Sequence, residues 1–172
     1  CWTSYEIRDN GPLRFAVRLD YGANGEHRIL SRGKGSNFNK MTVWYDGISA
    51  PVDVASGVVI HTEDTESVVL GKDFVQYADP TDNPKNQNFQ IYVAAIFPDG
   101  VDVTRKVMYQ NPVRGNAGHA LGIKKGVQPG EKFTYYFGSA WSKYDCRTQA
   151  EWQQRIDTFK SALAMPLESI IK

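Results

Sequence analysis

Leu13-Arg14-Phe15-Ala16-Val17-Arg18-Leu19-Asp20-Tyr21 places an apolar side chain at every second residue. Successive side chains of an extended strand point to opposite faces, so this stretch predicts a strand with one face in a core. Leu13, Phe15, Val17, Leu19 and Tyr21 form the expected core face, and Arg14 and Arg18 share the other. Asn10-Gly11-Pro12 is the turn that feeds the strand, and Trp2 to Ile7 before it is already strand-like. The same reading predicts strands over 27–32, 40–45, 52–60, 66–70, 74–78, 90–97, 119–125 and 132–141. Segments such as Gly22-Ala23-Asn24-Gly25, Gly33-Lys34-Gly35-Ser36-Asn37, Asp79-Pro80-Thr81-Asp82-Asn83-Pro84 and Gln128-Pro129-Gly130 separate them with turn chemistry. Many short strands joined by such turns define a mainly β chain, an antiparallel sandwich or barrel.

One helix interrupts this pattern, over 148–164. Thr148-Gln149-Ala150-Glu151 fits a capping box, in which the Thr148 hydroxyl accepts the Glu151 amide hydrogen and the Glu151 carboxylate reaches back to Thr148. Trp152, Ile156, Phe159 and Leu163 then recur at helical spacing as a stripe that packs on the sheet. Pro166 ends the run because it lacks the amide hydrogen of a continuing turn. Residues 167–171 form a last apolar run, suited to an edge strand of the sandwich.

Composition bounds the function. The chain has 172 residues, 20 Lys and Arg against 19 Asp and Glu, and a formal net charge of +1, so no single-sign field marks nucleic acid as a partner. With 41% apolar and 23% charged residues it is an ordinary folding composition, and a single domain over 1–172 is expected. No apolar run approaches the roughly 18–20 residues of a membrane helix. Cys1 and Cys146 allow one disulfide at most, and neither has a histidine spaced as a zinc partner, so no metal or cofactor is expected. Cys1 suits either the lipid-modified start of a cell-surface lipoprotein or a chain beginning inside a larger protein. The strand that starts at once after it favours the second.

No phosphate-binding glycine loop, Gly-x-Ser-x-Gly elbow, His-Glu-x-x-His pair or calcium loop is present. Candidate chemistry therefore rests on scattered residues. His61 ends a strand before Thr62-Glu63-Asp64, where carboxylates favour the imidazolium, and His119 lies among small residues that admit a close ligand. Both are candidate acid/base groups. His27, beside a hairpin turn, is expected to be exposed. Trp44 and Trp141, with neighbouring tyrosines, suit stacking on sugar rings, and Arg14 and Arg18 could clamp a carboxylate.

Asn10-Gly11-Pro12-Leu13-Arg14, Gly35-Ser36-Asn37-Phe38-Asn39-Lys40 leading into Met41-Thr42-Val43, Gly57-Val58-Val59-Ile60-His61, and Phe133-Thr134-Tyr135-Tyr136-Phe137-Gly138-Ser139-Ala140-Trp141-Ser142-Lys143 occur in order along the chain. Together they resemble the domain of unknown function 4861 family over nearly its whole length. That resemblance implies a galactose-mutarotase-like supersandwich in an exported bacterial protein of pectin or uronate degradation, periplasmic or extracellular. It also implies a further stretch upstream of the Asn-Gly-Pro strand, so that either this chain is the C-terminal part of a longer protein or the remaining strands come from elsewhere. The expected partner is an oligosaccharide or polysaccharide bound on the concave sheet face, together with an upstream segment or catalytic domain of the same protein. A lyase, mutarotase or hydrolase would use His61 or His119 as acid/base, with Arg18 or Lys143 neutralising a uronate carboxylate. A purely structural accessory domain is the third reading.

Overall fold

The computed structural model describes residues 1–80, 89–113 and 115–165. In chain order these form β1 (Ser4–Asn10), β2 (Arg14–Tyr21), β3 (Glu26–Gly33), β4 (Phe38–Tyr45), β5 (Val52–Ile60) and β6 (Val69–Leu70). Next come β7 (Phe74–Asp79), β8 (Ile91–Ile96), β9 (Val103–Val113), β10 (Asn116–Val127), β11 (Phe133–Trp141) and the helix α1 (Gln149–Ala164). An eight-stranded sheet runs β1-β2-β3-β4-β11-β8-β7-β6, and a three-stranded sheet runs β5-β10-β9. Every pairing is antiparallel. The two sheets make the expected β-sandwich, with α1 on the outer face of the larger one.

The apolar run at β8 explains this layering, because a strand without polar alternation must be covered on both faces. Ala94, Ala95, Ile96 and Phe97 are all fully buried. Ala95 and Phe97 join Val58, Ile60, Val75, Tyr77 and Ala120 between the sheets. Ala94 and Ile96 face α1 with Phe38, Trp152 and Ile156. Phe38 stacks on Trp152 and Phe159 at centroid distances of 5.1 and 4.5 Å. Gly57 permits the close pairing of β5 with β10, since a Cβ there would lie 1.9 Å from the Ala120 carbonyl oxygen.

The helix begins as its sequence requires, with the Glu151 N–H donating to Thr148 Oγ1 at 3.1 Å. Glu151 Oε2 accepts instead from the Arg147 N–H, at 2.6 Å, so the reciprocal half of the cap is displaced by one residue. Trp152 and Ile156 are buried, while Phe159 and Leu163 are half-buried. Both cysteines are free thiols, Cys1 exposed and Cys146 buried, and burial pushes the Cys146 thiol pKa up. Pro166 and the strand expected over 167–171 lie outside the described residues.

Three expectations are corrected. β9 was not anticipated, because Arg105, Lys106 and Gln110 interrupt its apolar alternation and Pro112 sits near its end; as an edge strand it needs only one covered side. The strand expected over 66–70 shrinks to Val69–Leu70. A turn consumes the rest, with the Val68 N–H donating to the Thr65 carbonyl at 3.1 Å and the Glu66 N–H to Asp64 Oδ1 at 3.1 Å. The third concerns β2. Ile7, Val17, Leu30, Met41 and Tyr135 fall in one cross-strand row on the face toward the second sheet. That sheet lies over β7 and β8, so cover runs out along the row: Met41 is 8% exposed, Val17 and Leu30 are half-buried, and Ile7 is 53% exposed. Leu13 and Phe15 are exposed for the same reason, and the buried residue of β2 is Ala16, on the other face.

Trp152 is the largest wholly buried side chain between α1 and the sheet. Trp152→Ala is expected to cost about 3–5 kcal/mol, the usual range for emptying such a site, read as a lower urea midpoint at unchanged m-value.

Candidate functional site

Because the second sheet ends at β5, the sandwich opens along that strand. A cavity of about 450 Å³ occupies the opening, between Ser56–Val59 of β5 and the facing residues of β4, β8 and β11. Asn39, Met41, Tyr135, Phe137 and Ser139 line one wall, and His61 and Asp79 close one end. Strand parity puts these side chains together. Phe137 opposes Asn39 and Tyr135 opposes Met41, so alternate residues of β4 and β11 present rings and an amide to the same space.

His61 Nδ1 lies 2.5 Å from Asp79 Oδ2, with the carboxylate largely enclosed and the imidazole half exposed. A carboxylate accepts, so Nδ1 is the donor in this contact and Nε2 is the ring nitrogen left to face the cavity. This is the arrangement that orients a histidine as a proton acceptor. Asp79 is positioned from two sides. It is the inward residue of β7 two places after the buried Tyr77, and the Gln90 side-chain amide donates to its backbone carbonyl. The Tyr77 hydroxyl lies 3.3 Å from Thr62 Oγ1, tying the turn after His61 to the same strand.

Trp141 and Lys143 lie outside the cavity lining, beyond its Asp79 end. Trp141 opposes Ile91, which opposes Asp79, so the three share one row. Lys143 Nζ lies 5.3 Å from the Phe89 ring centroid and 5.8 Å from that of Trp141, a cation between two partly exposed rings. Phe89 adopts a left-handed backbone (φ 53°), a conformation that a bulky residue rarely holds without support. Asp145 fixes the loop that carries Trp141 and Lys143. Its Oδ1 accepts the Trp141 N–H at 2.9 Å, and its Oδ2 accepts from Asn37 Nδ2 at 2.7 Å and Arg155 Nη1 at 3.3 Å.

The remaining candidates lie elsewhere. His119 sits on the outward face of the three-stranded sheet, its Nδ1 2.8 Å from the Tyr109 hydroxyl, opposite Val59 rather than among the inward Val58 and Ala120. Arg14 pairs with Asp9 at 3.2 Å on the exposed rim of the larger sheet. It is four residues from Arg18, roughly 13 Å along a strand, so the two do not clamp one carboxylate. Arg18 and Trp44 do meet, but on the outer face of the larger sheet. There Arg18 donates to Asp20 at 2.8 Å and lies 5.5 Å from the Trp44 centroid. His27 completes that cluster, stacked on Trp44 at 5.0 Å, and is half-buried rather than exposed as its turn suggested. Asp20 and Asp46 grip both its ring nitrogens, which is what draws it in.

Among the described residues no three His, Cys, Asp or Glu side chains gather as metal ligands. No helix among them is long and apolar enough to cross a membrane. Fold and site together define a two-sheet β-sandwich with a histidine–aspartate pair at the mouth of an open-edged cavity. The chain belongs to the family described as Domain of unknown function (DUF4861), whose model matches residues 1–168. No curated protein matches it.

The Asp145 knot gives a prediction about acid. Burial raises its pKa, but the Trp141 amide, Asn37 and Arg155 outweigh that and hold it below the usual carboxylate value. A lowered native pKa stabilises the fold above the unfolded value of about 4, and the gain is lost as pH falls through the native one. Urea melts between pH 2 and 6 are expected to show that loss in the native chain and a smaller pH dependence in Asp145→Asn.

Proposed function

We propose that this chain is a carbohydrate-associated domain that binds an oligosaccharide on the concave face of its larger sheet, in the cavity beside β5. The observation that carries the reading is the cavity wall: aromatic rings (Tyr135, Phe137) interleaved with Asn39, Ser56, Ser139 and the His61–Asp79 pair. Sugars present C–H faces that pack on rings and hydroxyls that need fixed donors and acceptors, and about 450 Å³ is within the range of small-ligand sites. Lys143, held between Trp141 and Phe89 beyond the Asp79 end of the cavity, would neutralise an acidic sugar, so a uronate-containing oligosaccharide is the proposed ligand class. The setting proposed is an exported bacterial glycan-degradation protein, periplasmic or extracellular, on the strength of the sequence resemblance.

A second reading is catalytic, and the 2.5 Å contact between His61 and Asp79 favours it. In a lyase His61 Nε2 would remove the proton beside a uronate carboxylate neutralised by Lys143; in a mutarotase it would act at the ring oxygen or anomeric hydroxyl. Among the described residues His119 has no carboxylate partner of this kind, and it is the weaker acid/base candidate.

Calorimetric titration with uronate-rich and neutral oligosaccharides, alongside product analysis, tests both readings. Binding of the acidic series is expected, weakened about tenfold by Trp141→Ala and by Lys143→Gln, and changed little by Trp44→Ala. No binding by the acidic or the neutral series would overturn the reading in favour of a structural domain. If products form, His61→Ala is expected to slow them by about 10²–10⁴-fold while leaving binding within a few-fold. Unchanged turnover in that variant would remove the catalytic role.

A further inference from the structure

The cluster around His27 lies on the opposite face of the larger sheet from the cavity. Both imidazole nitrogens face carboxylates, Nδ1 toward Asp20 Oδ1 and Nε2 toward Asp46 Oδ2, the latter at 2.8 Å. Only the doubly protonated imidazolium donates to both. The carboxylates come from different segments. Asp20 is the penultimate residue of β2, while Asp46 opens the crossover from β4 to β5, the strand that walls the cavity.

We propose that His27 is a proton-operated latch that fixes the 46–51 crossover to the end of the β2–β3 hairpin in its imidazolium form and holds Asp46 more weakly in its neutral form, when the ion pair is reduced to a neutral hydrogen bond. The surroundings decide which carboxylate depends on the imidazolium charge. From β2, Arg18 donates to Asp20 Oδ1 at 2.8 Å and lies 3.2 Å from His27 Nδ1 through Nη2; from β1, Ser4 Oγ donates to Asp20 Oδ2 at 3.3 Å. Asp20 therefore keeps its partners when the ring loses a proton. Asp46 is 62% exposed, and its hold on the cluster is the His27 contact. The other charges nearby are Lys132, 5.6 Å from the Trp44 centroid, and Glu6 of β1, opposite Arg18 in register and paired with Arg8 at 3.1 Å. Among the described residues the side chain hydrogen-bonded to Asp46 is His27. What remains at the crossover is two backbone bonds, the Asp46 N–H to the Gly25 carbonyl and the Gly47 N–H to the Asn24 carbonyl, both 3.1 Å.

The electrostatics agree in sign. The Asp20 hydrogen bond raises the His27 pKa against the opposing effect of burial, Asp46 adds to the rise, and His27 and Arg18 hold Asp20 low. A raised histidine stabilises the fold below its unfolded value of about 6.5 and loses that contribution as pH climbs through the folded value. The latch is therefore tight in mildly acidic solution and loosens toward alkaline pH, whatever the cavity binds.

Amide hydrogen exchange of the full chain by NMR, corrected for the intrinsic pH dependence of exchange, tests the latch directly. Protection of the Asp46 and Gly47 amides is expected to fall roughly two- to fivefold between pH 5.5 and 9, the size of an exposed ion pair, with the midpoint of the His27 ring titration. Asp46→Asn, at an exposed position, is expected to remove that pH dependence while the His27 ring still titrates. Protection that stays level while His27 titrates, or an unchanged pH dependence in Asp46→Asn, would overturn the proposal.

Discussion

Burial of β8 on both faces is the constraint from which the rest of the architecture follows. A strand carrying Ala94, Ala95, Ile96 and Phe97 in succession offers no face to water, so one layer must lie on each side. The three-stranded sheet covers Ala95 and Phe97, and α1 covers Ala94 and Ile96. Both layers center on β7 and β8, and the larger sheet extends well past them. Its β1 to β3 half is consequently thinly covered, and the boundary between the covered and uncovered halves falls along β5. The cavity lies at that boundary.

This placement gives the cavity its chemical character. A site deep between the sheets would be lined by apolar core side chains, and one on the outer strands would be open to water. At the edge of β5 the inward rows of β4 and β11 supply both kinds of group: Phe137 faces Asn39, while Ser139 lies one step further along β11. The strand ends supply the ionisable pair, since His61 follows β5 and Asp79 ends β7. The knot of Asn37, Asp145 and Arg155 couples the loop after β11 to the helix, so the surface that carries Trp141 and Lys143 is held by the element that closes the core.

Much of this was legible in the sequence wherever a local pattern decides the structure. The alternation over 52–60 and 132–141 marked β5 and β11, and Thr148 with Glu151 marked the start of α1. His61, Trp141 and Lys143 were legible as candidates because each residue type carries a chemistry of its own. What was hidden depends on partners distant in the chain. Periodicity says that Phe15 and Ala16 face opposite ways, but only the extent of the second sheet decides that Phe15 is left exposed. Asp79 looked like the start of a loop, because nothing near it announces a histidine 18 residues earlier. His27 was misplaced for the same reason: its burial is set by Asp46, 19 residues further on, and by the Trp44 ring on the neighbouring strand.

The central claim is that the space beside β5 is a ligand site. Its most direct test is a chemical-shift map of the isotope-labelled chain titrated with a uronate-containing oligosaccharide. The account predicts perturbations concentrated at Asn39, Ser56, His61, Asp79 and Ser139, with those around Trp44 and His27 unmoved. Shifts confined to the Trp44 face, or none at saturating oligosaccharide, would contradict it.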